Sequence, residues 1–267
     1  IQESNQYSVL DYDYFYNGAG VGIADFDNDG LQDVFLAGNQ VDDKLYKNIG
    51  NLRFLDVSKD AGITKQGWSV GVSIVDINND GLQDIYISRS GPVSLYRENV
   101  LYINLGGMKF KESASDYKLN IKAPSTQTAF LDYDRDGDLD AYMITHPADF
   151  KNKDDLQTFL INVQAGKVES DQLLRNDNGV FINVTKEAGI SEYGYSLGIS
   201  VCDINNDSWP DIFVGNDFDE PDLLLLNNRN GTFTNVAQSA FKHTSNYSMG
   251  CDAADINIAA VNLNVIC

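Results

Sequence analysis

The sequence predicts an all-β chain, a β-propeller built from four-stranded blades. Three observations predict it. An Asp-rich phrase of nine residues recurs four times without gaps, a short apolar and aromatic run follows each copy, and an Asn/Gly turn between two further apolar runs closes each unit. A repeated four-strand unit of roughly 40–50 residues marks a propeller blade.

The Asp-rich phrases begin at Asp25, Asp76, Asp132 and Asp203, spaced 51, 56 and 71 residues apart. Five residues before the first Asp stands Gly20, Gly71 or Gly198, with Gln127 in the third copy. After the last Asp come Val34-Phe35-Leu36, Ile85-Tyr86-Ile87, Ala141-Tyr142-Met143 and Ile212-Phe213-Val214. Such β-branched and aromatic runs beside turn signals read as strands. The closing turns carry Asn48, Asn104, Asn176 and Asn228, each with a nearby Gly and then Phe54, Phe110, Phe181 or Phe233, which reads as a hairpin. Whole units are expected at about 18–62, 69–119, 125–189 and 196–241, with a partial fifth at 248–267. The third is long because of an insertion at about 147–171, where Asp155–Val163 reads equally as a short helix or a surface loop. The whole of 1–267 is thus read as one partial propeller domain.

Each Asp phrase has the alternation that turns oxygens toward a common centre. In the first copy Asp25, Asp27 and Asp29 hold positions one, three and five, Gly30 position six, Leu31 position seven and Asp33 position nine. Gly at position six adopts the positive φ of a sharp turn, and position seven needs only its carbonyl. An oxygen-rich, flexible cage of this kind suits Ca2+ better than Mg2+, which demands stricter octahedral geometry. The second set is Asp76, Asn78, Asp80, the Leu82 carbonyl and Asp84; the third is Asp132, Asp134, Asp136, the Asp138 carbonyl and Asp140. The fourth is Asp203, Asn205, Asp207, the Trp209 carbonyl and Asp211, with Ser208 at the Gly position, and is expected to be the weakest because serine resists positive φ. An EF-hand needs a bidentate Glu at position twelve, but that position holds Leu36, Ile87, Met143 and Val214. About four structural Ca2+ sites are therefore expected. The fifth start at Asp255 and Asn257 loses its third ligand to Ala259, and no site is expected there.

A net charge of −20 sets the chain against nucleic acid backbones and anionic lipid, and no window holds an apolar run long enough to insert in a membrane. Three cysteines lack zinc or redox spacing; Cys202 and Cys251 fall in apolar runs and read as buried free thiols. His146 and His243 read as loop residues, and Trp68 and Trp209 as packing between blades rather than as platforms for sugars.

The Gly-x4-Asp-x-Asp/Asn-x-Asp-Gly-x-x-Asp unit followed by an aromatic strand resembles the FG-GAP/VCBS repeats of integrin α-subunit propellers. Longer phrases, from Tyr14 to Gly22, at Gly38-Asn39-Gln40, at Asp60 to Ile63, at Glu187 to Ile190 and from Val214 to Asp222, resemble bacterial VCBS-repeat proteins related to cartilage acidic protein and associated with ASPIC/UnbV domains. That resemblance implies an exported or surface-displayed, seven-bladed propeller with structural calcium. Four to five blades would then be an incomplete arc, and the end from Ile258 reads as a truncated, frame-shifted or fragmentary sequence. The expected function is a calcium-binding extracellular, cell-surface or periplasmic module that binds a protein or glycan in adhesion. The alternatives are a scaffold for another domain and a polysaccharide lyase-like enzyme. No nucleophile or phosphate-loop motif stands out, so no enzyme activity is expected.

Overall fold

The computed structural model describes residues 14–93, 96–146, 171–191, 193–218, 220–254 and 264–266, with residues 3, 8, 9 and 12. The 155–163 segment, read equally as a short helix or a surface loop, and the fifth start at Asp255, Asn257 and Ala259 lie outside them.

Among the described residues, four antiparallel sheets of four strands follow one another, each an up-and-down meander in chain order. The first holds β1 (Val21–Ala24), β2 (Asp33–Leu36), β3 (Lys44–Asn48) and β4 (Phe54–Asp56). The second holds β5 (Ser69–Val75), β6 (Asp84–Arg89), β7 (Val100–Asn104) and β8 (Phe110–Glu112). The third holds β9 (Ser125–Leu131), β10 (Asp140–Thr145), β11 (Gln172–Asn176) and β12 (Phe181–Asn183). The fourth holds β13 (Tyr195–Cys202), β14 (Asp211–Asp217), β15 (Leu223–Asn227) and β16 (Phe233–Asn235). This is the blade architecture of a β-propeller. A two-stranded pair, β17 (Asp252–Ala254) and β18 (Asn264–Ile266), follows where a fifth unit was expected. One-turn helices α1 (Ser58–Ala61), α2 (Ala114–Tyr117) and α3 (Ala237–Ala240) follow the outer strands of blades one, two and four.

The apolar pattern explains which strands are central. Every residue of β6, β10 and β14 is buried, whereas β4, β12 and β16 expose two or more of their three. The chain divides into two compact units at Thr126 and Gln127. In the first, blades one and two close on a core that includes Phe26, Phe35, Leu45, Ile85, Ile87, Tyr102 and Phe110, with Phe26 edge-on to Phe110 at 5.7 Å. In the second, blades three and four close on Tyr133, Tyr142, Ile144, Leu173, Ile212, Leu225 and Phe233. Each such side chain contributes roughly 1.5–3 kcal/mol by leaving water. At Gly20 and Gly198 the recurring Gly before the Asp phrase serves close approach to the next unit. A Cβ on Gly20 would meet the Val72 nitrogen at 2.7 Å, and one on Gly198 the Cys251 nitrogen at 2.9 Å.

Candidate metal loops

Each β1–β2-type connection is an Asp loop, and its backbone is shaped by the loop's own carboxylates. Asp25 accepts hydrogen bonds from the Asp29 and Gly30 N–H groups at 3.0 and 2.7 Å. Asp76 does the same for Asp80 and Gly81, and Asp203 for Asp207 and Ser208. Asp132 accepts from Gly137. The position-seven N–H groups of Leu31, Leu82, Asp138 and Trp209 turn onto the position-five carboxylates. Position six has positive φ in all four copies, +87° at Gly30 and +71° at Ser208, so serine does sit where glycine is preferred. Position four is left-handed as well, at Asn28, Asn79, Arg135 and Asn206. The three asparagines were the visible signal for that second turn.

The position-nine carboxylates do a different job. Asp33 is wholly buried and accepts from the Phe26 and Asn48 N–H groups at 3.1 and 2.8 Å. Asp84 holds Ile77 and Asn104, Asp140 holds Tyr133 and Asn176, and Asp211 holds Ile204 and Asn227 in the same way. These bonds fasten each loop to the third strand of its own blade. Burial raises the carboxyl of Asp84 to about 6 and that of Asp140 to about 7, against the lowering effect of those N–H donors. Each oxygen keeps a further lone pair. The Asn of the closing turn completes the tie, because Asn104 donates to the Phe26 carbonyl and Asn227 to the Tyr133 carbonyl of the preceding blade, both at 2.8 Å.

Carboxylates converge in the first and third loops. Oxygens of Asp25, Asp27 and Asp29 lie within 4.8 Å of one another, and so do those of Asp132, Asp134 and Asp136. Four of the loop oxygens are buried without a hydrogen-bond donor: one each on Asp27, Asp132, Asp134 and Asp138. Buried anionic oxygens lacking donors are unfavourable unless a cation satisfies them, so the donor set fits a hard cation. Asp138 enters through its side chain, which the sequence reading used only for its carbonyl. In the first loop a protein cation is already present. The Lys47 ammonium, from β3, bonds Asp27 and reaches Asp29 at 2.8 Å, holding the Asp29 carboxyl below its usual range. In the fourth loop Arg229 pairs with Asp207 at 2.9 Å. In the second, the Asn78 amide donates to Asp80 at 2.9 Å.

A family model described as FG-GAP-like repeat matches residues 25–87 and 203–257, spanning the first, second and fourth Asp loops. Cartilage acidic protein 1 of Homo sapiens is 26% identical over 276 residues, and that of Xenopus tropicalis 27% over 273. The chain carries FG-GAP-like repeats. Each alignment takes in 94% of this chain, which spans 40% of the length of those curated relatives. A solved Agrocybe aegerita lectin, described as recognising non-reducing terminal N-acetylglucosamine, aligns over 91% of this chain and 55% of its own with a TM-score of 0.44 and 17% identity.

The other end of each FG-GAP blade carries a repeat that sequence reasoning missed. The residue just before the third strand, Asp43, Asn99, Asp171 or Asp222, accepts the N–H of Gly38, Arg89, Thr145 or Asn216 at 2.8 to 2.9 Å. The same side chain meets the hydroxyl of Ser69, Ser125, Ser196 or Ser248, on the next unit in sequence, at 3.0 to 3.2 Å. The available signal was an Asp or Asn followed 25 or 26 residues later by Ser. Burial raises Asp171 to about 7.

Several single residues are also placed. Trp68 is buried, edge-on to Tyr12 at 5.9 Å and tilted against Phe15 at 5.6 Å, so it packs. Trp209 lies under the Arg135 guanidinium at 4.8 Å. His146, read as a loop residue, follows β10 and is wholly buried, whereas His243 is exposed. Cys202 and Cys251 are free and half-buried, and burial pushes both thiols up to about 11.

Proposed function

We propose that this FG-GAP repeat protein is a calcium-stabilised propeller module that works by binding, at a cell surface or outside the cell, with a protein or a glycan as its partner. The observation that carries the calcium reading is the set of buried, donorless oxygens on Asp132, Asp134 and Asp138, in a loop that no lysine among the described residues enters. Asp25, Asp27, Asp29 and the Leu31 carbonyl would hold the ion of the first loop, and the corresponding residues those of the others. Bound Ca2+ supplies charge neutralisation and no chemistry. What the chain's own residues do is fix the loop backbone through the N–H bonds of positions one, five and nine. Millimolar extracellular calcium matches the roughly 10⁻⁴–10⁻³ M affinities of surface modules, which supports an exported setting. Among the described residues no helix is long and apolar enough to cross a membrane.

The test is a thermal melt with and without chelator. At about 100-fold saturation one site adds ~2.7 kcal/mol, which moves the midpoint by roughly 5–10 °C in a chain of this size. Chelation should remove that shift and added Ca2+ should restore it. A midpoint indifferent to both would sink the calcium reading.

A further inference from the structure

The first unit carries a cleft of about 320 Å³ lined by Asn39, Gln40, Asp42, Gln66, Trp68 and Tyr96 together with Val41, Gly67, Pro92 and Val93. Its place follows from strand direction. The chain leaves β2 and β6 moving away from their Asp loops, and it enters β5 moving toward one. The 37–43, 64–68 and 90–93 segments and Tyr96 therefore gather at the far end of the blades from the Asp loops.

We propose that this cleft is a binding site for a neutral saccharide. The proposal deepens the binding-module reading above by naming the ligand class. Side-chain amides on Asn39, Gln40 and Gln66 and the carboxylate of Asp42 provide the mixed donors and acceptors that sugar hydroxyls need. Tyr96 is 45% exposed and offers the apolar ring face on which a pyranose C–H face stacks, next to Pro92 and Val93. Trp68 cannot be that platform. It is 7% exposed, and a Cβ on Gly91 would lie 2.5 Å from its ring. Among the described residues no lysine or arginine lines the cleft, so they offer phosphate, sulfate and sialylated ligands no counter-charge there. The volume sits at the small end of ligand pockets, the size class of a mono- or disaccharide.

The walls are fixed from beneath. Arg89 is 1% exposed, and its guanidinium is consumed by the Lys65 and Gln66 carbonyls at 2.6 and 3.0 Å, by Ser69 at 3.2 Å and by Asp43 at 3.3 Å. Asp43 in turn holds the Gly38 N–H at 2.8 Å. One buried ion pair thus joins the 37–43 wall to the 64–68 wall, and the Trp68 N–H bond to the Tyr96 carbonyl at 3.1 Å brings in the third. Across the mouth Gln66 donates to Asp42 at 3.0 Å, a contact that a sugar hydroxyl can replace. A pre-formed floor under exposed polar side chains reduces the ordering that binding would otherwise require.

Saturation-transfer NMR on the full chain in Ca2+ would test this with methyl glycosides of glucose, galactose, mannose, N-acetylglucosamine and N-acetylgalactosamine, with lactose and cellobiose, and with choline and sialyllactose as contrasts. Transfer to at least one neutral sugar is expected. Its affinity should fall about tenfold in Tyr96→Ala and in Gln66→Ala, with thermal midpoints and calcium response unchanged. No transfer to any neutral sugar, transfer that survives both substitutions, or preferential binding of choline or sialyllactose would overturn the proposal. Loss of sugar binding alongside an intact calcium shift counts against this cleft alone. A missing calcium shift counts against the metal reading instead.

Discussion

The two ends of each blade use the same residue type for opposite purposes. At the loop end of blade three, Asp132, Asp134 and Asp136 turn oxygens toward one another, and one buried oxygen each on Asp132, Asp134 and Asp138 has no donor. At the far end Asp171 stands alone, wholly enclosed, with the Thr145 N–H and the Ser196 hydroxyl on its two oxygens. One arrangement leaves oxygens that a cation would satisfy; the other is satisfied by the chain itself. A carboxylate's role is therefore read from its donors and not from its burial, since both ends raise carboxyl pKa values by desolvation first.

The far end can be tested through pH. A folded-state pKa raised to about 7 means the native chain holds a proton that the unfolded chain releases near 4. Stability from this group is full below about 4 and is lost as pH rises through about 7. Asn99 is the neutral version of the same clamp, with its oxygen on the Arg89 N–H and its amide on Ser125 and the Tyr86 hydroxyl. Asp171→Asn should therefore fold, and above pH 7 it should be more stable than the parent by on the order of 2–4 kcal/mol. Denaturant titrations from pH 4 to 8 in saturating Ca2+, which keeps the loop acids ionised, would show the difference growing with pH. A difference that is flat across that range would break the contrast between the ends.

At the loop end, Asp134→Ala should remove about 2–3 kcal/mol of calcium-dependent stabilisation at 100-fold saturation, while Asp171→Asn leaves that response intact. Melts with and without chelator compare them directly. Equal loss in both variants would mean that calcium acts through the whole blade and not through one loop.

Within the loop end, the first and third copies sharpen the comparison further. Lys47 stands one residue before Asn48 and fills the first loop, whereas Arg175, one residue before Asn176, turns aside to Asp177 in two bonds of 2.8 and 3.0 Å. Blade two has Ile103 at that place. Lys47→Ile should raise the calcium affinity of the first loop about tenfold, since an opposing unit charge a few ångströms away, partly screened, is removed. Isothermal titration would resolve it, and an unchanged affinity would show that the ammonium withdraws freely.

The four-stranded sheets and the left-handed sixth position were legible because each is a local pattern repeated at a fixed offset. The Asp loops were legible for the same reason, down to Ser208. Three things were not. The clamp of Asp43, Asn99, Asp171 and Asp222 joins residues 25 or 26 apart through a single serine, and one such pair carries no local periodicity. The cation in the first loop comes from a neighbouring strand, so the loop's own phrase is silent about Lys47. The position-nine aspartates also fasten the loop to the third strand through backbone N–H groups on both oxygens, a tertiary role that leaves no mark in the phrase itself.

The smallest expected effect concerns backbone alone. Ser208 holds φ at +71°, a region where a side chain is strained and glycine is not, and the other three loops place Gly there. Ser208→Gly relieves that strain but enlarges the unfolded ensemble, and the two terms oppose each other. Relief of a left-handed non-glycine residue is on the order of 1 kcal/mol or more, and the added chain entropy offsets about 0.4–1 kcal/mol of it. The net gain should be a few tenths of a kcal/mol, seen as a small rise in urea midpoint at constant slope. The contacts at this position favour that sign. The Asp203 carboxylate takes the Ser208 N–H at 2.7 Å, and the Arg135 guanidinium takes its carbonyl, so both use backbone atoms that glycine keeps. A falling midpoint would assign the serine hydroxyl a role at the loop end that the other three copies do without.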